Sequence, residues 1–183
     1  MNDSVFYREL AARMFPLFEC IAVAEDRVFI TYRLPSGTEL IRQLIDSRFT
    51  ITIQYSTDVN RARALNPRAA SDGRGSDGIA FFNPSGRVVR PITIDPSTGK
   101  AVATPRPPYI GLGHELIHGL AYVTGTLVPR EIEREHTFIN ERGETQTILT
   151  PVEELLTIGL IPGRAVTDND LRFEHGIRPR VRH

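Results

Sequence analysis

The sequence predicts a single domain of the mixed α+β class, and three observations support this prediction. The chain has 183 residues, of which 40% are hydrophobic, which is enough for one sizeable core and too few to favour two domains. Alternating apolar residues, typical of strands, occur in the first half, for example from Phe49 to Tyr55. Apolar residues at helical spacing follow in residues 109–124. We therefore expect one domain over residues 1–183, with a small mixed or antiparallel sheet packed on helices.

The first third of the chain is predicted to contain helices at both ends of a strand pair. Apolar spacing and a following proline predict a helix over residues 4–15, and Glu25-Asp26 suits a tight turn between two strands. Pro35-Ser36-Gly37 predicts another turn. Residues 38–46 fit a helix or a strand, and a helix is favoured. The predicted strands of this part are residues 19–24, 27–33 and 49–55.

Residues 66–78 are rich in glycine and proline and poor in apolar side chains, which predicts an exposed loop able to contact substrate. Residues 79–82 and 88–94 are then predicted to pair as strands. Pro91 lies inside the second strand and predicts a sheet edge, because proline has no N–H to donate. An edge strand here could add an extended substrate as a further strand.

The second half is predicted to carry the longest helix, a hairpin and two shorter helices. A proline-rich segment leads into the long helix, and glycines follow the predicted ends of the long helix and of the last one. Thr150 is predicted to cap the helix that follows the hairpin, with Pro151 at its first helical position. The predicted elements are a helix from about Tyr109 with Gly125 just past its end, a hairpin of residues 131–138 and 146–149, a helix from Thr150 and a helix from Asp168 to Glu174 ended by Gly176.

The composition excludes several classes of function. Lysine and arginine together number 22 and so do aspartate and glutamate, so the chain shows no net charge that would capture nucleic acid or an anionic membrane. No apolar run approaches the roughly 18 residues needed to span a bilayer, and no cleaved signal is evident at Met1. Cys20 is the only cysteine, which excludes an internal disulfide. A metal site must therefore use histidine and carboxylate ligands.

Residues 114–118 have the pattern H-E-x-x-H within the long predicted helix. His114 and His118 are four positions apart, so both imidazoles project from one side of the helix and could bind one zinc ion. Glu115 beside them could take a proton from a water on the metal. Leucines 112, 116 and 120 form an apolar stripe roughly opposite, so one face is predicted to be core and the other a site.

A catalytic zinc needs a third protein ligand, and the residue types alone leave several candidates. They are His136, His175, His183, Glu153 and Glu154. Glu153 begins a predicted helix 35 residues after His118, but Thr150-x-x-Glu153 also fits a capping box, in which the glutamate bonds the cap N–H. His136 lies on a predicted strand between charged residues and is interpreted as a surface or salt-bridged residue.

The motifs resemble those of two groups of zinc proteases. His114 to Gly119, followed by Glu153-Glu154-Leu155 and residues 157–159, is similar to clostridial neurotoxin light chains, where H-E-L-I-H and E-E-L-x-T-x-G hold zinc. Residues 79–182 resemble more closely the peptidase family M91 effectors that bacterial pathogens inject into host cells. This similarity includes the ending from Asn169 to Arg180.

The resemblance implies a zincin-like fold with a second ligand-bearing helix. Residue by residue, it implies Zn²⁺ held by His114, His118 and Glu153, Glu115 as general base, and Glu154 as an outer carboxylate that orients a ligand histidine. The chain is much shorter than the neurotoxins, and their downstream Arg and Tyr pair cannot be located in it. The candidates for stabilising the oxyanion are Arg172, Tyr122 and Arg178.

The predicted function is zinc-dependent cleavage of a host protein, with Glu115 moving the proton. The resemblance implies secretion by a bacterium, action in the host cell cytoplasm and a substrate such as a signalling kinase, and we expect a monomer. One alternative is the metallopeptidase tip of a bacterial competition toxin, which would have an adjacent immunity partner. Another is a non-catalytic module that keeps zinc for structure, although a structural site has no use for a general base at Glu115.

Overall fold

The computed structural model describes residues 20–24, 27–31, 34–84, 91–95 and 97–182 of the chain. The helix predicted for residues 4–15 lies outside these residues. The described elements run in chain order as follows: β1 Cys20–Ala24, β2 Arg27–Thr31, α1 Pro35–Ile45, β3 Ile51–Tyr55, β4 Arg61–Ala64, α2 Pro67–Ser71, β5 Gly78–Phe82, β6 Ile92–Ile94, β7 Ala101–Ala103, α3 Pro108–Thr124, β8 Glu133–Ile139, β9 Thr145–Pro151, α4 Val152–Ile158 and α5 Asp168–Glu174. The predicted α+β class with small sheets is confirmed.

A three-stranded sheet of order β3-β5-β4 packs against α3. Strand β5 is parallel to β3 and antiparallel to β4. The predicted pairing of residues 79–82 with 88–94 is therefore wrong: β5 pairs with β3 and β4, while β6 pairs with β7. Two further antiparallel pairs, β1 with β2 and β8 with β9, are the predicted hairpins. The parallel pairing requires a crossover between β3 and β5, which a local apolar pattern does not reveal.

The segment predicted as an exposed loop, residues 66–78, is folded against α3. Its residues 67–71 form α2, which Asn66 caps by accepting a hydrogen bond from the Ala69 N–H at 3.1 Å. Ala70 is fully buried. The Ser76 N–H donates to the Tyr122 carbonyl at 2.9 Å, and the Gly73 N–H donates to the Gly125 carbonyl at 3.0 Å. Backbone hydrogen bonds to α3, which leave no apolar signature in the sequence, hold this segment in place.

Two helices begin differently from the prediction because of proline. Helix α1 begins at Pro35, so the predicted turn at residues 35–37 is its first turn, where a missing N–H does no harm. Strand β9 continues to Pro151, which is itself the N-cap of α4. The predicted Thr150 cap is therefore wrong, and Thr150 lies within the strand instead.

Helix α3 passes through the core and carries the H-E-x-x-H segment. It begins at Pro108 and ends at Gly125, which has φ +74°, as its glycine signal predicts. All residues from Ile110 to Val123 are buried, so both faces lie inside the protein. Leu112, Leu116 and Leu120 join the main apolar cluster, as predicted, while the histidine face lies beneath other elements. A helix buried on every side is typical of the centre of a fold.

Glycines on α3 allow neighbouring elements to approach the helix closely. A Cβ on Gly113 would lie 2.5 Å from a methyl carbon of Leu171 on α5, and a Cβ on Gly119 would lie 3.1 Å from Ile51 on β3. The first approach brings the start of α5 beside His114, and the second places the sheet beside His118. Within the described residues, no helix is both long and apolar enough to cross a membrane.

Candidate metal centre

Helix α3 presents His114, Glu115 and His118 to a cleft of about 850 Å³. The three residues are between 4% and 6% exposed, so only small parts of them reach solvent. The imidazole centroids of the two histidines are 4.9 Å apart and the rings are almost perpendicular. The one-turn spacing in the sequence therefore places both rings at one point of the cleft, as the helical pattern predicts.

Glu154 on α4 completes this group. Its carboxylate oxygens lie 3.4 Å from Nε2 of His114 and 3.4 Å from Nε2 of His118. One ligand atom from each of the three residues falls within 4.8 Å of the others. Ligand atoms at about 2.1 Å from a tetrahedral zinc ion lie about 3.4 Å apart, so this donor set has the size and chemistry of a zinc site. Among the described residues, these three could hold a metal ion.

Glu153, the predicted ligand, lies on the other side of His118. Its Oε1 accepts a hydrogen bond from Nδ1 of His118 at 2.9 Å and from Arg164 at 2.5 Å. Its Oε2 accepts from the Val128 N–H at 3.0 Å. Both carboxylate oxygens of Glu153 therefore accept hydrogen bonds from groups other than the Nε2 atoms of His114 and His118. In this geometry Glu154, rather than the predicted Glu153, faces the two Nε2 atoms, and Glu153 does not form the capping box with Thr150.

The hydrogen bond to Glu153 fixes the orientation of His118. A carboxylate only accepts, so Nδ1 carries the proton shared with Glu153, and Nε2 is the ring nitrogen that faces Glu154. Burial by itself lowers the pKa of His118, but hydrogen bonds to Glu153 and Glu154 outweigh it and raise that pKa to about 10. Burial raises the pKa of the Glu154 carboxyl. His114 and His118 outweigh this effect and hold that pKa well below its usual range.

Asp168 supports His114 and was missed by the sequence analysis. Its Oδ2 lies 3.6 Å from Nδ1 of His114, and its Oδ1 accepts a hydrogen bond from Arg172 at 3.0 Å. Although burial opposes ionisation, His114, Arg172 and Arg180 keep the pKa of Asp168 low. The capping box between Thr167 and Asp170 sets this residue in the first turn of α5. That signal was readable, but the contact with His114 depends on how α5 packs on α3.

The candidates for stabilising an oxyanion fall in different places. Tyr122 lines the cleft, and burial first, then the carboxylate of Glu153, raises its pKa, so its hydroxyl stays protonated and can donate. Arg172 is 0% exposed, donates a hydrogen bond to Asp168 and is not among the residues that line the cleft. Arg178 pairs with Asp95 at 3.3 Å and is likewise not among the lining residues.

Arg106 lines the cleft and was not singled out from the sequence. Burial lowers the pKa of its guanidinium, while the negative charges of Asp168 and Glu115 oppose this. An arginine stays charged in proteins, so Arg106 brings a positive charge towards Glu115. Gly111 leaves space for it, because a Cβ there would lie 3.3 Å from Arg106 Nε. No feature of the proline-rich segment around it indicates this contact.

Two of the remaining histidines, His136 and His175, are not part of the group. His136 donates from Nε2 to the Val181 carbonyl at 2.7 Å and is partly buried, whereas the sequence predicted a surface or salt-bridged residue. His175 stacks beside Tyr109 with ring centroids 4.9 Å apart. His183 lies outside the described residues.

Zinc binding should depend on pH because the metal competes with a proton. With the pKa of His118 raised to about 10, the metal-free histidine is protonated below that pH, and the metal must displace the proton. We expect zinc affinity to rise about tenfold per pH unit between pH 6 and 8, with at least about one proton released per ion. Calorimetry in buffers of different ionisation enthalpy measures this release. Affinity independent of pH over this range would contradict the expectation.

A helix with two histidines one turn apart, a glutamate between them and a carboxylate from a second helix is the arrangement by which zincin-like folds hold a metal ion. The family comparison is specific: the chain belongs to the peptidase M91 family of effector proteins, whose model matches residues 29–183. No curated protein matches the chain at significant sequence similarity.

A solved structure of a botulinum neurotoxin light chain shares the fold. The light chain of serotype HA has a TM-score of 0.55 and 16% identity, with the match covering 91% of this chain and 44% of that one. The zinc-removed light chain of type C has a TM-score of 0.43 and 18% identity, covering 78% and 33%. The chain thus spans less than half the length of these light chains.

Proposed function

We propose that the protein is a zinc-dependent endopeptidase that cleaves a protein substrate, with Glu115 as general base. The observation that carries this proposal is the convergence of His114, His118 and Glu154 beside Glu115 in one cleft. Membership of the M91 effector family supports the same activity. A site that only stabilised the fold would use a fourth protein ligand, whereas this group has three and opens on the cleft.

The ligands in this proposal are His114, His118 and Glu154, which departs from the sequence prediction of Glu153. Glu153 and Asp168 would orient the two histidines through their Nδ1 atoms, at 2.9 Å and 3.6 Å. Such outer carboxylates fix the ring orientation and increase the basicity of the ligand nitrogen. Arg164 and Arg172 in turn hold the two carboxylates in place.

When bound, zinc would supply a Lewis acid that lowers the pKa of water and polarises the scissile carbonyl. The chain's own residues then perform the remaining steps. Glu115 would accept the proton from the attacking water and deliver it to the nitrogen of the leaving amine. The Tyr122 hydroxyl and the Arg106 guanidinium both line the cleft and would stabilise the negative oxygen that develops.

The cleft also has room for an extended chain. Asn60, Arg61 and Ala62 line it, and the last two belong to β4, the end strand of the three-stranded sheet. The edge strand was predicted from Pro91, which precedes β6 in the structure. Strand β6 does not line the cleft. We therefore transfer the proposed substrate edge from residues 88–94 to β4.

The setting of this activity follows from the family. We propose a single metalloprotease domain over residues 1–183 that acts as a monomer, is secreted by a bacterium and cleaves a signalling protein in the cytoplasm of the host cell. The description of the family as effector proteins supports delivery to a host. No observation in the described structure favours a competition toxin over an effector.

Metal removal tests the proposed activity. The purified protein should hold about one zinc ion per chain, because three converging ligands form one site. A proteome-derived peptide mixture should be cleaved by the zinc form, left intact after chelation and cleaved again after zinc is restored. Mass spectrometry of new peptide termini measures this. Cleavage that persists in the fully metal-free protein would refute the proposal.

A further inference from the structure

We infer that the cleft selects an acidic segment of its protein substrate through Arg61, Arg68 and Arg130. This inference rests on the proposed peptidase function and adds the chemistry of the substrate. The three side chains belong to β4, α2 and the loop after α3, and all three residues are exposed and line the cleft that contains His114. Three separate elements therefore contribute the same charge to one surface.

Positively charged side chains outnumber negatively charged ones along the cleft, and the excess lies away from the proposed metal centre. Arginines at five positions line it: Arg61, Arg68, Arg106, Arg130 and Arg180. The lining carboxylates are Glu115, Glu131, Glu153 and Glu154. Three of these four belong to the proposed metal centre, where a divalent ion and Arg164 would balance them. Glu131 alone remains to offset the arginines away from the centre.

Two of the five arginines are already used inside the site. Arg180 lies 3.5 Å from the carboxylate of Asp168 and is only 4% exposed. Arg106 is partly buried beside Glu115 and Asp168. Arg61, Arg68 and Arg130 are different, because none of them forms an ion pair with the residues that the structure describes. They are the cations that a ligand in the cleft can reach.

Among the described residues, the surroundings of Arg68 explain why it forms no ion pair. Asp72 is four residues further along the chain, the spacing at which an ion pair could form. Its carboxylate instead accepts hydrogen bonds from Arg74, at 3.0 Å from Nε and 2.8 Å from Nη2. Arg68 is therefore left open to the cleft.

The other two arginines are held at the cleft by the fold. The guanidinium of Arg61 lies over the Phe81 ring at 5.6 Å from its centroid, which steadies the side chain without neutralising it. Arg130 follows a loop that the Leu127 N–H anchors to the Ala70 carbonyl of α2 at 2.8 Å. This hydrogen bond keeps the loop beside the helix that carries Arg68.

A carboxylate-bearing peptide fits this surface best. Guanidinium groups match carboxylates in geometry and charge, and β4 gives an extended chain a line to follow past the metal centre. The chain as a whole has no net charge, so the positive cleft does not simply reflect a basic protein. Aspartate or glutamate side chains flanking the scissile bond would meet the arginines.

Cleavage of a peptide mixture tests the inference. The wild-type enzyme should cut sites that are enriched in aspartate and glutamate within about six residues, and the variant Arg61→Glu/Arg68→Glu/Arg130→Glu should lose this preference while still cutting neutral sites. Each exposed ion pair contributes about 1.5- to 5-fold, so kcat/KM for an acidic peptide should fall about 3- to 125-fold in the triple variant. Unchanged acidic preference in that variant, or none in the wild type, would overturn the inference.

Arg142→Glu is the matched control, because Arg142 is exposed at the β8–β9 turn and does not line the cleft. It should keep the acidic preference. Thermal unfolding and zinc content of both variants exclude misfolding as the cause of any loss. An equal loss in Arg142→Glu would show a general charge effect and would also count against the inference.

A binding measurement separates this inference from the peptidase function. Labelled peptides that differ only in glutamate, glutamine or lysine at alternate positions are titrated with the Glu115→Gln variant, using fluorescence anisotropy. The glutamate peptide should bind at least about fivefold more tightly than the glutamine peptide at low salt, and the difference should shrink in 0.5 M NaCl. If the wild type cleaves nothing, the proposed function fails, while equal affinities here would refute the acidic selectivity.

Discussion

Glu115→Gln should abolish proteolysis while zinc stays bound. The substitution keeps the shape of the side chain but removes its capacity to accept a proton, and Glu115 is not one of the three converging ligands. General acid–base groups contribute about 10²- to 10⁴-fold, so kcat should fall by at least that range. Single-turnover cleavage and zinc analysis by mass spectrometry measure the two quantities on the same sample.

The control for this experiment is Glu141→Gln, because Glu141 is exposed in the β8–β9 turn and outside the cleft. It should retain wild-type activity. Loss of zinc in Glu115→Gln would show that the side chain holds the metal, and undiminished cleavage would show that another group takes the proton. Glu115→Ala should give the same loss of activity with zinc retained.

Glu154→Gln should weaken zinc binding far more than Glu153→Gln. The two residues are neighbours on α4, so they form a matched pair that differs in where the carboxylates lie. Glu154 is 3.4 Å from both Nε2 atoms, whereas Glu153 holds the Nδ1 of His118. Loss of an outer carboxylate lowers metal affinity about 10- to 100-fold, so the Glu153 variant should fall in that range and the Glu154 variant beyond it.

Zinc affinities from competition with a chelator of known affinity provide the comparison. Glutamine at 153 can still accept the hydrogen bond of the Val128 N–H, so the fold should survive. Alanine at 153 would also leave Arg164 buried without its partner, which costs about 3–5 kcal/mol in comparable buried pairs. The reverse order of affinities would restore the sequence-based assignment of Glu153 as the ligand.

Local spacing predicted the elements that carry the chemistry. His114, Glu115 and His118 lie within a single helical segment, so their mutual placement follows from the helix repeat alone. The end of α3 at Gly125 and the span of α5 from Asp168 to Glu174 also follow from local signals. These features need no knowledge of distant parts of the chain.

Contacts between distant residues account for what the sequence analysis missed. Residues 66–78 are held by backbone hydrogen bonds to α3, which glycine-rich sequences do not reveal. Strand β4 has the sequence Arg-Ala-Arg-Ala, in which no large apolar residue alternates with the polar ones. Its pairing with β5 gives it a place in the sheet that its own residues do not indicate.

The sequence by itself determined that two histidines and a glutamate share one face of a helix. Only the tertiary structure decided which carboxylate faces them, because Glu153 and Glu154 are adjacent and differ only in the direction of their side chains from α4. The packing of α5 on Gly113 likewise places Asp168 beside His114. The space above Gly111 allows Arg106 to line the cleft. These positions depend on contacts between elements, which no local pattern encodes.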